Sequence, residues 1–373
     1  MLLKTFLGLG KFQVLNLSNK PKYILNANKN TIIAFSKKFY SARTLDSSSN
    51  KMMISDAIDI IPGTTNTFYS KELWKPSIVA QALLAATRTV DSSLKVNSLH
   101  SYFLLPGNVE LPIEYRVDTI RNGRSFACRS VTAAQNSKTI FTLMCSFNLP
   151  SSTVHRIEHQ YKMPQVLSPE HYNSDLVFEG VRNVFDFQQG TDTNSTFDNP
   201  KYATFSTKDS VGVDGRLVDP SNLKTAAVKS SLTRDPYRLW WLKPAVDKFN
   251  DAKTTFSFFD TQCGLAYLTD FRFLYTGALP YNIHYTKAEQ KNRLLMMASL
   301  DHSIWFHSPF DLTDWLLFEM ESPRVCDDRA LITGRIYNSS GILVASVAQE
   351  GLLRAQVEES ISLLVEYNPP KLL

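Results

Sequence analysis

MASLDHSIWFHSPF (297–310) and GILVASVAQEGLLR (341–354) bound the stretch of this chain from which its fold can be read. Between them lie two apolar runs of period two, joined by the turn Asn338-Ser339-Ser340-Gly341. That alternation predicts an antiparallel meander, because successive side chains of a strand point to opposite faces. The stretch also gathers hydroxyl, acid and imidazole groups: Ser299, Asp301, His302, Ser303 and His307 at one end and Gln349-Glu350 at the other. Polar chemistry is therefore set on a sheet.

The stretch has a fainter copy upstream. His100-Ser101 recurs as His302-Ser303 and Asn136-Ser137 recurs as Asn338-Ser339, both 202 residues on, and the same offset lays Thr139–Phe147 over Gly341–Gln349. We read a duplicated α+β unit.

In the first copy, a short strand region over Ile54–Tyr69 is interrupted by Pro62-Gly63. PSIVAQALLAATRTV (76–90) then puts Ile78, Ala82, Ala85 and Ala86 on one helical face, with proline near the first turn, and predicts a helix packed tightly on a sheet. Strands are expected at 99–104, 112–121, 124–134 and 139–149, and Asn122-Gly123 predicts a tight hairpin with positive φ at both central residues. Residues 150–235 turn polar and lose periodicity, which reads as a linker with partial order. PYRLWWLK (236–243) opens the second copy, with its helix expected over Cys263–Ala278 and its strands from Ser299 to Leu353.

Length and composition bound the function classes. A chain of 373 residues suggests two domains, and its 43% hydrophobic and 20% charged residues are ordinary for a globular protein. No apolar run reaches the roughly 18 residues of a membrane span. The net charge of +5 is carried by the first 45 residues, which hold seven Lys and one Arg and no acid, so the remainder has 32 basic against 35 acidic residues. A nucleic-acid partner thereby loses its electrostatic support. The acid-free, basic leader (1–45), without a continuous apolar segment, predicts a mitochondrial transit peptide. Gly8-Leu9-Gly10 within it lacks the strand and third glycine of a dinucleotide loop. The C-terminal Lys371-Leu372-Leu373 is out of register with a peroxisomal address. Four cysteines show no paired spacing, HRIEH (155–159) matches a metal motif without a third ligand nearby, and Asn194-Ser195-Thr196 is a sequon without a secretory signal.

SLHSYFLLPG (98–107), RNGRSFACRSVTAAQNSK (121–138), SLDHSIWFHSPF (299–310) and ASVAQEGLLR (345–354), in that order, resemble the TesB-type acyl-CoA thioesterases. The resemblance covers about 50–150 and 236–357. It implies a double hot-dog, two antiparallel sheets each wrapped around a central helix, with hot-dog units over 46–150 and 236–373 separated by the polar insertion 151–235. It also implies hydrolysis of fatty acyl-CoA by an activated water, without cofactor or metal, and an association of subunits into a homo-oligomer. Carried over by motif, Asp270 (AYLTDF), Ser299 (ASLDHS, where the family usually has Thr) and Gln349 (AQEG) hold that water. Arg121, Arg124 and Arg129 are the candidates for the coenzyme A phosphates. The expected compartment is the mitochondrial matrix, with the peroxisome as alternative.

Each residue also has a plainer reading: Asp270 as a helix cap, Ser299 and Gln349 as ordinary strand residues, the arginines as exposed edge charges, and His302 and His307 as structural hydrogen-bonding groups. Serine at 299 keeps the hydroxyl and loses the methyl that stiffens its rotamer, which predicts a modest rate loss, and a second departure bears more heavily on activity. Where the family usually has Phe-Gly-Gly-Gln before the first helix, this chain has Trp74-Lys75-Pro76-Ser77, and proline offers no N–H to a ligand. The alternative function is an acyl-CoA-binding or assembly protein that keeps the fold without turnover.

Overall fold

The computed structural model describes residues 58–70, 77–108, 110–150, 157–172, 213–218, 235–244, 258–270, 272–281 and 293–357. The leader, Trp74-Lys75-Pro76, the sequon and the first two residues of HRIEH lie outside them. Among the described residues no helix is long and apolar enough to cross a membrane.

The first half runs β1 (Ile60–Pro62), β2 (Thr67–Ser70), α1 (Ile78–Thr87), β3 (Lys95–Phe103), β4 (Glu114–Asn122), β5 (Phe126–Gln135) and β6 (Lys138–Asn148). The second runs β7 (Val213–Leu217), β8 (Tyr237–Pro244), α2 (Phe258–Asp270), a 3-10 segment (Leu274–Tyr281), β9 (Arg293–Ser299), β10 (Asp301–Phe306), β11 (Leu316–Cys326), β12 (Arg329–Asn338) and β13 (Leu343–Gln356). These strands form one antiparallel sheet in the order β1-β2-β4-β5-β6-β3-β10-β13-β12-β11-β8-β7, with β9 on β13. The expectation of two separate sheets is corrected here. β3 and β10 would each be a sheet edge with open N–H and C=O groups, and they satisfy one another by pairing.

The duplicated motif explains that seam. Ser101 pairs with His302 and His100 with Ser303, so the repeated dipeptide meets its own copy across a local twofold. Ser101 Oγ adds a 2.8 Å bond to the His302 carbonyl, and His100 Nδ1 lies 3.1 Å from Ser303 Oγ.

α1 is buried on nearly its whole circumference, only Ile78 being partly open, because it lies between the sheet and α2. A helix that is apolar all round belongs in such a place. Ser77 caps its start, its hydroxyl accepting from Ala80 N at 3.4 Å. Gln81, fully buried in α1, takes the Tyr115 hydroxyl at 2.6 Å and so introduces no unpaired oxygen into the core. Residues of both halves form one hydrophobic core.

Several local expectations are corrected. α2 begins earlier than Cys263 and stops at Asp270, because Arg272 adopts φ +57° and sends the chain into the 3-10 segment. Asn122-Gly123 is not the two-residue turn; the hairpin closes with Gly123 N on Phe126 O at 2.8 Å, leaving Arg124-Ser125 at its tip. Positive φ at two successive residues occurs instead at Asn136-Ser137 and Asp327-Asp328. The partial order expected of the polar insertion has a definite place. Its residues 160–167 lie on the outer face of the second half, where Met163 and Val166 join a second small core around Trp241, Trp315, Leu317 and Tyr337. There Trp241 Nε1 donates to Leu167 O at 3.1 Å, and Val213–Leu217 adds the edge strand β7.

Candidate active site

Asp270 is the last residue of α2, and two neighbours hold that helix end. Thr269 Oγ1 donates to Ala266 O at 3.1 Å and lies 3.0 Å from His302 Nε2. With the Thr269 hydroxyl proton on the carbonyl, its oxygen is an acceptor that suits an N–H at His302 Nε2. Burial pushes the imidazole below its ordinary range and outweighs the pull of nearby Asp270. Phe273 stands edge-on to His302, ring centres 6.3 Å apart, and stacks on Phe318 at 5.1 Å. The chain on both sides of Asp270 is thus pinned to the floor of the sheet.

Gln349 comes from β13, whose alternate residues Ala345, Val347, Gln349, Gly351 and Leu353 are all buried. A polar residue in that series needs partners, and Gln349 has them. Its Nε2 donates to Asp270 Oδ1 at 2.9 Å and to Ser299 Oγ at 3.0 Å. Both amide hydrogens are used, while the buried Oε1 has no hydrogen-bond partner among the described residues. The three residues carried over by motif, from a helix end and two strands, therefore converge.

Ser299 reaches the cluster through an irregularity. On β13, Ala348 faces Ser303 and Gly351 faces Ser299, three residues against four, so β9 and β10 are one strand carrying an extra residue at Leu300-Asp301. This bulge lets Ser299 and His302, three apart, share the inner face. Gly351 is required opposite, since a Cβ there would stand 2.8 Å from the Ala298 carbonyl oxygen and closer still to the Leu274 side chain.

Burial and the Asp270 carboxylate together push the Tyr267 phenol up, as expected for a charge held in a poorly solvated place. Of the other motif histidines, His307 Nε2 lies 2.8 Å from Ser346 Oγ on the outer side of the seam.

The arginines are placed elsewhere. Arg129 is buried, and its guanidinium donates to Thr89 Oγ1 (2.8 Å), Thr89 O (2.8 Å), Arg121 O (3.1 Å) and Cys128 O (3.0 Å). This corrects its assignment to a phosphate, because four of its five N–H bonds close the end of α1 onto the β4–β5 hairpin. Arg121 and Arg124 are exposed at that hairpin, beside the Lys95 end of β3, whereas Ser299 lies beyond the Phe103 end. Lys95 and Tyr102 are seven strand steps apart, about 23 Å at about 3.3 Å each. Closer to the cluster is the β11–β12 turn, where Arg329 Nε meets Glu350 at 3.0 Å and Arg354 Nε meets Asp328 at 3.4 Å. Sequence reading missed these cations because their nearness to Gln349 depends on the β12–β13 register.

A family model described as acyl-CoA thioesterase matches residues 248–352, and one described as acyl-CoA thioesterase N-terminal domain matches 77–148. Human acyl-coenzyme A thioesterase 8 is 32% identical over 322 residues, 83% of this chain and 92% of its own. Peroxisomal acyl-coenzyme A thioester hydrolase 1 of Saccharomyces cerevisiae is 28% identical, covering 82% of this chain and 96% of its own. Among solved structures, an acyl-CoA thioesterase II of Mycobacterium marinum superposes with TM-score 0.59 at 27% identity, over 81% of this chain and 98% of that one. A hot-dog protein of unknown function from Alicyclobacillus acidocaldarius superposes with TM-score 0.55 at 16% identity, over 81% and 97%, a likeness of fold.

Proposed function

Since this chain belongs to the TesB-type acyl-CoA thioesterase family and is an acyl-CoA thioester hydrolase, we propose that Asp270, Ser299 and Gln349 hold its attacking water on a double hot-dog. The observation that carries the reading is the Gln349 amide bridging the Asp270 carboxylate and the Ser299 hydroxyl. Asp270 Oδ2, which accepts no hydrogen bond from another described residue, and the Ser299 hydroxyl proton are the groups left to grip a water. Asp270 takes a proton as the water oxygen attacks the thioester carbonyl carbon. The resulting oxyanion collapses, the C–S bond breaks, and the sulfur leaves as the thiol with the proton returned by Asp270. The products are a fatty acid and coenzyme A. Serine in place of the usual threonine keeps the hydroxyl and loses only the methyl that restricts its rotamer.

For the phosphates, Arg121 and Arg124 are kept as exposed cations that a ligand extending along the sheet, or a second subunit, would bring into play. A homo-oligomer draws support from the open outer face at the seam, where Tyr102 and Met144 are 60% and 50% exposed. Two compartments have support: the basic leader favours the mitochondrial matrix, and the peroxisomal relative favours the peroxisome. Binding or assembly without turnover draws its support from the Trp74–Ser77 departure and from the long polar linker.

The test is thiol release from short, medium and long acyl-CoA esters by the wild type and Asp270→Asn. Turnover that falls about a thousandfold in the variant, within the range for losing a general base, is the expected result. Undiminished turnover in the variant would sink the assignment of Asp270. Tight binding with no turnover in either protein would establish the alternative.

A further inference from the structure

Asp301 lies next to the site and touches none of its three residues, yet its carboxylate stands at the irregularity that aims one of them. Where the extra residue interrupts the ladder, Leu300 N still donates to Glu350 O at 2.9 Å, and Leu300 O accepts from Phe103 N at 2.9 Å. The Glu350 N–H has no backbone acceptor there; Asp301 Oδ1 takes it at 2.7 Å. Glu350 is in turn held from the other side by Arg329, Nε to Oε1 at 3.0 Å. A side-chain oxygen has replaced a ladder carbonyl, as it must where a bulge orphans a donor in the middle of a sheet.

The geometric stake is high because a strand has period two. Without the extra residue, Ser299 and His302 would fall on opposite faces, and the Ser299 hydroxyl would leave the Gln349 amide. The Glu350 N–H belongs to the residue after Gln349, so the same bond also fixes the strand that carries the amide.

We propose that Asp301 is the positioning residue of this site: its carboxylate locks the β9–β10 bulge onto Glu350 N and thereby holds Ser299 on the inner face against Gln349. The inference rests on the reading of Ser299 and Gln349 as the groups that hold the water. It assigns Asp301 no contact with substrate, so its loss acts on turnover through Ser299 and leaves substrate affinity largely alone. A misaim of about 1 Å is enough to cost about a hundredfold in rate.

The experiment is steady-state thiol release by the full chain carrying Asp301→Ala, Asp301→Asn, Ser299→Ala, or Ser299→Ala with Asp301→Ala, beside Asp270→Asn. Asp301→Ala is expected to lower kcat about a hundredfold with KM within about threefold, the pattern of an interaction lost in the transition state. Asp301→Asn, whose amide oxygen can accept the same N–H, is expected to recover kcat to within about fivefold of wild type. In the Ser299→Ala background, Asp301→Ala should cost less than about threefold more, because both act through one hydroxyl. An undiminished kcat in Asp301→Ala overturns the proposal, as does an equal loss in the two backgrounds, which is what simple unfolding would give. Failure of Asp301→Asn to recover also overturns it. If Asp270→Asn keeps wild-type turnover, the reading of the site falls instead, and the positioning role with it.

Discussion

Superposing the repeat by its 202-residue offset puts Asn97 where the second half has Ser299 and Phe147 where it has Gln349. Matching Gln81 of α1 to Gln262 of α2 puts Thr89 where Asp270 stands. Phe147 is fully buried, a core side chain in place of an amide, and Thr89 is tied to Arg129 and Ala86. Where the second half has Gly351 opposite Ser299, the repeat offers Leu149. The halves agree in what makes a sheet cradle a helix and differ in the polar residues between them. Duplication preserves packing because every apolar position in the common core is needed by both copies, whereas three residues that must converge can stand in one copy alone at no cost to the fold.

The comparison can be broken most severely at the amide. Gln349→Ala removes the bridge between Asp270 and Ser299, and a drop in kcat of about a hundredfold or more, measured by thiol release, is expected. Asn97→Ala in the first half should change kcat by less than about twofold, within ordinary tolerance for a residue outside the chemistry; a comparable loss there would mean that both halves carry chemistry.

The insertion distinguishes the halves next. Trp241→Ala empties the small core under residues 160–167 and is expected to cost about 3–5 kcal/mol, read from denaturant unfolding. A cost below about 1 kcal/mol would show that this segment adds nothing to the second half.

Gly351→Ala sharpens the contrast at the site itself. The added methyl meets the Ala298 carbonyl and Leu274, and overpacking of this kind costs about 1–3 kcal/mol, read as a lower unfolding midpoint.

The smallest effect is the response to acid. Burial holds His302 and His307 below the ordinary 6.5, so the unfolded chain binds more protons than the native one between the folded and unfolded values. Stability is therefore complete above about pH 6.5 and falls as the pH drops toward the folded values. Asp301, raised by burial, acts with opposite sign nearer the ordinary carboxyl range. His302→Gln, which keeps a donor for Thr269, should flatten the loss between pH 7 and about pH 5.5, measured by thermal unfolding. An unchanged slope would show that His302 is not held neutral.

Much of this was legible in the chain. Alternation announced the strands of both halves, the alanine-rich face announced α1, and the motif residues Asp270, Ser299 and Gln349 are those the fold brings together. Arg129 was misread because a cation in a strand looks the same whether it meets solvent or three backbone carbonyls and a threonine hydroxyl. The Asn122-Gly123 turn was misread because its flanks, not the dipeptide, set where the hairpin closes.

By itself the sequence determined the two copies, the polar insertion, the helix and strand periods and the family, because these follow from local pattern and from motifs in order. Only the tertiary structure decided that the copies share one sheet through His100-Ser101 and His302-Ser303, and that part of the insertion lies on the second half. It alone decided, too, that an extra residue at Leu300-Asp301 turns Ser299 inward. Register is a relation between distant strands, set by which open backbone groups find partners, and no single strand's sequence contains it.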